Sequence, residues 1–260
     1  MELTDLGAGT LVLLLLAALS AGWVDAVVGG GGLVQLPALL LVPGMTPLNA
    51  LATNKVASIF GTGTSSITYY RRVHPDLRTA LPMAGLALVG AAGGALSASL
   101  LPEQVLRPVI VVALLAVAVY TLARPALGEA TALRWHGRRH HLAAGAAGAA
   151  IGFYDGILGP GTGSFLVFTL VGLLGYAFLE ASAKAKIVNF ATNLGALLVF
   201  VPQGAVLWGL GLLMGSANLL GGYLGARTAV ARGSGFVRVV FLLVVGVLIL
   251  RLGWQVVTGG

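Results

Sequence analysis

The segment Leu11–Leu19 is apolar without interruption, and Val105–Ala123 is nearly so, with one arginine, Arg107. Apolar strands of soluble α/β proteins run to about 4–8 residues, so longer runs place lipid among the solvents of this chain. Composition agrees: 58% of the residues are hydrophobic and 9% are charged, against roughly 25% charged in soluble domains. So few charges do not clothe a water-facing surface. The runs are continuous rather than alternating, which selects helices over a β-barrel.

A spanning helix needs about 20 largely apolar residues. Candidate segments fall at about 8–28, 33–43, 47–70, 79–99, 105–123, 141–158, 163–177, 180–201, 205–226 and 236–254. Segments 33–43 and 163–177 are short, and each follows a glycine-rich break. The stretch Met1–Thr10 holds Glu2 and Asp5 and no basic residue, so the first apolar run is expected to be a mature membrane segment rather than a cleaved signal.

The net charge of +7 resides in loops. Ten of the fifteen Lys and Arg residues sit in three of them: Arg71, Arg72 and Arg78; Arg124, Arg134, Arg138 and Arg139; and Arg227, Arg232 and Arg238. These basic residues are not interleaved with aromatics, so nucleic acid is not an expected partner. By the positive-inside rule the three loops are cytoplasmic, and tracing the chain from them puts both termini outside. Residues 1–46 then leave and return on the outer side, and 141–178 on the inner side. Each stretch is a re-entrant hairpin or a pair of full crossings.

The chain repeats itself. Gly22-Trp23-Val24-Asp25 with Gly29-Gly30-Gly31 reads against Gly152-Phe153-Tyr154-Asp155 with Gly159-Pro160-Gly161 at an offset of 130. Lys55-Val56-Ala57-Ser58 reads against Lys186-Ile187-Val188-Asn189 at 131, and Gly93-Gly94-Ala95-Leu96 against Gly221-Gly222-Tyr223-Leu224 at 128. Three further spans follow each broken pair, and an odd number inverts the second copy. The expected fold is an all-α polytopic membrane protein of two inverted repeats, each a glycine-broken helical pair plus three spanning helices. The repeats cover 1–123 and 141–260, joined by a basic cytoplasmic linker, 124–140. Many secondary transporters use this architecture.

The breaks, Gly29, Gly30, Gly31 and Gly32 in one half and Gly159, Gly161, Thr162 and Gly163 in the other, are the first candidate site. Glycine lets backbone N–H groups approach a ligand, and the helix after each break points its positive end at it. Lys55 and Lys186, about two turns into the next helices, offer positive charge to an anion, or else snorkel to headgroups as Lys184 is expected to do. Asn54, Ser58 and Thr62 share a helical face, as do Asn189 and Asn193. Asp25 and Asp155 sit inside apolar segments, where an acid is costly. They are candidates for proton coupling or for bracing the glycine loops. Gln35 and Asn218 are isolated polar positions. Gly90–Gly94, Gly148–Gly152 and Gly221–Gly225 are expected to pack helices together.

No catalytic constellation, metal-ligand spacing or nucleotide motif is found, and the chain has no cysteine. His74, His136, His140 and His141 are all expected in loops. No cofactor is implied and the chain is expected not to be an enzyme. A small anion, membrane lipid and a second copy of the chain are the expected partners. The residues by themselves lead to a transporter of a small anion. The alternatives are a passive anion channel and, in another class, a non-transporting membrane scaffold or intramembrane enzyme.

The motifs Gly22-Trp23-Val24-Asp25 with Gly29–Gly32, Ala52-Thr53-Asn54-Lys55 with Gly61-Thr62, Gly152–Gly156 with Gly159–Gly163, and Gly221–Ala226 resemble the sulfite exporter TauE/SafE family of membrane permeases. The resemblance spans nearly the whole chain. It implies transport of sulfite, sulfonates or related organic acids, export rather than uptake, and a bacterial or archaeal inner membrane.

Overall fold

A computed structural model describes residues 6–102, 104 and 131–258. Candidate segment 105–123, with Arg107, and the first part of the linker, with Arg124, lie outside them. The described residues are helical throughout, without strands. Helix α1 spans Ala8–Val28, α2 Gly32–Leu40, α3 Pro47–Val73 and α4 Leu77–Leu100. After the linker come α5 (Gly137–Ile157), α6 (Thr162–Phe168, continued by a π-helical turn Thr169–Leu174), α7 (Phe178–Phe200) and α8 (Trp208–Thr258).

Local chemistry sets these boundaries. Thr46 caps α3, its hydroxyl accepting from the Asn49 N–H, with Pro47 in the first turn. Asp76 caps α4 through the Arg78 N–H. Helix α1 stops at Gly29, whose left-handed φ of 84° no β-carbon tolerates easily. The span α8 is two helical arms that meet at Gly233, whose φ of 73° and ψ of −173° are not helical, so segments 205–226 and 236–254 are separate as expected. The first arm runs on through Arg227 and Arg232, because the intervening alanines and arginines are good helix formers.

The molecule buries charged and polar side chains among its core and exposes large apolar ones. Leu13 on α1, Val89 and Leu100 on α4 and Leu220 on α8 are exposed, Leu100 at 84%, while Lys55, Lys186, Asn54 and Asn193 are buried. Exposed apolar surface on this scale marks a lipid-facing wall. Helices α1 and α4 are long and apolar enough to cross a membrane.

Glycine sets the closest helix contacts. A β-carbon on Gly148 or Gly152 of α5 would lie 2.7 or 2.2 Å from the Met83 or Ala87 carbonyl oxygen of α4. On α8, Gly221 and Gly225 meet the Leu19 and Trp23 carbonyls of α1 in the same way, at 2.0 and 2.5 Å. Such small-residue seams let backbones approach where lipid gives no hydrophobic drive to associate. Gln35 and Asn218 also join helices: the Asn218 amide donates to Gln35 Oε1 at 2.8 Å and to the Ala18 carbonyl at 3.1 Å.

Two apolar clusters form the core. One contains Val27, Tyr69, Met83, Leu166 and Phe178, and the other Leu14, Leu36, Leu51, Phe200 and Met214. Along α3 the second cluster takes Ala50, Leu51, Ala52, Val56 and Ala57, and the first takes Tyr69. The buried polar residues Thr62 and Ser65 fall between them.

Candidate functional site

In each half the chain unwinds after a helix that ends in a buried or half-buried acid's turn. In the first, the Gly29 N–H closes α1 on the Asp25 carbonyl at 2.8 Å, and the Gly31 N–H points at Asp25 Oδ1 at 3.4 Å. In the second, Gly159 and Gly161 both take left-handed φ, 85° and 77°. The Thr162 hydroxyl donates to the Gly159 carbonyl at 2.8 Å, and the Tyr154 hydroxyl to the Pro160 carbonyl at 2.7 Å. Tyr154 therefore braces the second break, a role its sequence position did not disclose.

The breaks meet. The Ser164 N–H donates to the Gly29 carbonyl and the Ser164 hydroxyl to the Val28 carbonyl, each at 3.0 Å. A β-carbon on Gly29 would stand 2.1 Å from the Gly163 carbonyl carbon. Only glycine at both positions permits this backbone-to-backbone crossing.

Two ion pairs cross between the halves. Lys55 donates to Asp155 at 2.5 Å, with both side chains 2% exposed. Lys186, fully buried, donates to Asp25 at 2.9 Å; Asp25 is 16% exposed. Each lysine of one half thus takes the aspartate of the other. Buried charge of either sign demands such a partner, and the pairing leaves this quartet formally neutral. Nearby, Asn193 Nδ2 lies 3.4 Å from the Thr62 hydroxyl.

Around these pairs lies one small polar cavity. From the first half it is lined by Asp25, Gly29, Gly32, Asn54, Lys55 and Ser58. From the second it is lined by Asp155, Gly159, Gly161, Thr162, Gly163, Asn189 and Asn193. Of the site residues singled out in the sequence, Gly30, Gly31, Thr62 and Lys186 are not in the lining. Gly31 and Lys186 reach it through Asp25. The cavity encloses about 20 Å³, room for about one water molecule. Asn54 is buried and its amide oxygen has no hydrogen-bond partner among the described residues; turning the amide over presents its NH2 to the cavity instead.

The two ends of the bundle are closed differently. At one, the Thr53 hydroxyl accepts from the Leu207 N–H at 3.2 Å and Asn49 donates to the Ala205 carbonyl at 3.0 Å. At the other, Lys184 donates to the Asp76 carbonyl at 2.8 Å, lies 3.5 Å from Glu180 and stands 4.5 Å over the Tyr176 ring. Lys184 is fully buried, so it does not snorkel: its ammonium is met by protein groups. Asp76 is tilted upward by its partial burial, but hydrogen bonds from Arg78 and Thr79 and the Lys184 charge outweigh this and hold its carboxyl below the ordinary value. His140, expected in a loop, lies in the first turn of α5 and is buried. Its Nε2 is 2.9 Å from the Tyr176 hydroxyl and 3.3 Å from that of Thr79. Histidine 141 follows it into the helix. Among the described residues no group of acids and histidines could hold a metal ion.

Known proteins match this chain almost end to end. Residues 14–252 match the sulfite exporter TauE/SafE family. The chain belongs to that family. A probable membrane transporter protein, ORF9, of Sinorhizobium is 40% identical over 249 residues, 95% of this chain and 94% of the relative. The probable membrane transporter protein YfcA of Escherichia coli K12 is 35% identical, over 92% of this chain and 88% of its own length. A probable membrane transporter protein of Haemophilus influenzae is 34% identical over 90% and 91%. No solved structure matches significantly. Within the TauE/SafE family, these relatives and the lipid-facing exterior support a membrane transporter.

Proposed function

We propose that this TauE/SafE member is a multi-pass secondary transporter of the bacterial inner membrane. It moves a small anion, sulfite or an organosulfonate, and exports it, the direction the family description carries. The observation behind this reading is the polar cavity lined by both glycine breaks, Lys55 and both aspartates, with Lys186 held on Asp25 behind it.

The pairing pattern supports two inverted repeats. The offsets that carry Lys55 onto Lys186 and Asp25 onto Asp155 turn one ion pair into the other. Such reciprocity is what a two-fold relation between equivalent parts requires. Thr62 and Asn193, equivalent at offset 131 and adjacent in space, belong on that axis. The contacts of α1 with α8 and of α4 with α5 exchange under the same relation.

In this arrangement the anion sits between the half-helix starts at Gly32 and Thr162, with Asn54, Ser58, Asn189 and Asn193 as hydrogen-bonding groups. The present cavity is smaller than sulfite, and the Gly29–Gly163 contact is the closed state of the path. Opening separates the breaks towards one side at a time. An added anion also unbalances a neutral quartet. Protonating one aspartate releases its lysine to the anion and restores the balance; Asp25, the more exposed acid, is the one reached first. The coupling ion in this reading is therefore a proton.

Proteoliposome flux tests the reading. Vesicles with the protein should accumulate labelled sulfite or a sulfonate against its gradient when a pH gradient is imposed. Flux that runs only downhill favours an anion channel. No flux above protein-free vesicles for sulfite, thiosulfate, sulfonates and carboxylates overturns the transporter reading.

A further inference from the structure

Outside the central cavity, the side of α3 and α8 at their basic ends forms a groove of about 270 Å³. Three arginines line it, Arg71 and Arg72 from the last turn of α3 and Arg227 from α8, with Tyr223 and the exposed Ile67. The Arg227 guanidinium is fixed in place: it donates to the Tyr223 hydroxyl at 3.1 Å and lies 5.5 Å from the centre of that ring. Among the described residues no acid lines the groove. Arg71 and Arg72 in the last turn of α3 are favoured by its helix dipole, and an anion seated among the three guanidiniums would relieve their mutual repulsion.

The equivalent place at the other end of the bundle shows what the arginines replace. The offset that carries Lys55 onto Lys186 carries Arg72 onto Gln203, and the offset that carries Gly93 onto Gly221 carries Ser99 onto Arg227. There the Ser99 hydroxyl donates to Gln203 at 2.6 Å and joins α4 to the turn that follows α7. At the basic end both positions are arginine and line the groove. The sequence has exchanged a closed hydrogen bond for an open cationic slot on one side only.

We propose that this slot binds the phosphate of an anionic phospholipid headgroup. The exposed apolar Ile67 beside the groove fits a lipid-facing wall, and in the membrane reading the three guanidiniums stand at the cytoplasmic end where anionic headgroups lie. Planar guanidinium forks grip phosphate oxygens in pairs, and an acyl chain follows the apolar wall below. The inference rests on the membrane reading above but not on any transported substrate.

Native mass spectrometry of the full-length protein, titrated with phosphatidylglycerol or phosphatidylcholine, tests it. The wild type should retain phosphatidylglycerol in preference to phosphatidylcholine. The variant Arg71→Gln/Arg72→Gln/Arg227→Gln should lose that preference by roughly tenfold or more, and the single Arg227→Gln should lose part of it. The exposed pair Arg138→Gln/Arg139→Gln, elsewhere on the basic side, should keep it. All three arginines of the groove are exposed, so the variants should melt like the wild type in phosphatidylcholine. Equal retention by the groove variant and the Arg138/Arg139 control overturns the proposal. So does displacement of the lipid by millimolar inorganic phosphate, which would make the slot a site for a soluble anion. No step of the measurement reads transport, so its failure leaves the transporter reading standing and the reverse holds too.

Discussion

Lys55 and Asp155, 100 residues apart in the chain, meet at 2.5 Å with both side chains shut away from solvent. Removing one partner strands the other as a lone buried charge, which costs about 3–5 kcal/mol, whereas removing both together costs far less. Lys55→Met and Asp155→Leu should each lower the melting temperature in detergent strongly, and the double variant should recover most of the loss. Additive losses would mean that the two side chains do not act as a pair.

The crossing of the glycine breaks is tested by a matched pair of alanines. Gly44→Ala meets a φ of 77° but open space, so it should cost about 1 kcal/mol of backbone strain alone. Gly29→Ala meets a φ of 84° and a backbone atom at 2.1 Å. Overpacking should add about 1–3 kcal/mol to that strain. Melting curves of the two variants under one condition would show the difference; equal losses would mean the breaks part readily.

Asp76 supplies a pH dependence with a definite sign. Its carboxyl is held below its ordinary value of 3.8. The stabilisation it gives is therefore present above that value and fades as pH falls through the lower folded value. Asp76→Asn should melt below the wild type at neutral pH, and the gap should narrow only below about pH 4. A gap that closes between pH 5 and 7 would assign the effect to another group.

Orientation can be read by thiol labelling, because the native chain has no cysteine. Arg138→Cys and Gln203→Cys place single thiols at exposed positions near opposite ends of the bundle. An impermeant maleimide added to intact cells should label Gln203→Cys and spare Arg138→Cys, and disrupted cells should label both. Labelling of both from outside would contradict the proposed cytoplasmic placement of the linker.

The sequence disclosed the parts of the site better than their connections. Glycine runs at matched offsets and lysines inside apolar segments are costly enough to stand out unaided, and the structure gathers most of them around one cavity. That Lys55 would take Asp155 rather than Asp25 was not legible, since spacing says nothing about which distant helix comes alongside. The burial of Lys184 is illegible for the same reason. Two residues from Lys186 it reads as a surface cation, but the Asp76 carbonyl that meets it arrives from 108 residues away. His140 looked like part of a basic loop because its neighbours are arginines; the Tyr176 hydroxyl that draws it inward belongs to another turn. The break within α8 is legible, since Arg232, Gly233 and Gly235 interrupt the apolar pattern and the helix does break at Gly233.

The size of the central cavity has a bearing on bioenergetics. Protons cross membranes along files of hydrogen-bonded water, and a space of about 20 Å³ holds roughly one such molecule. With Gly29 pressed on Gly163 and both lysines of the quartet engaged, this cavity has no room for a longer file. Under the proposed proton-driven cycle such a state acts as an insulator, and many copies could sit in one membrane without discharging the gradient.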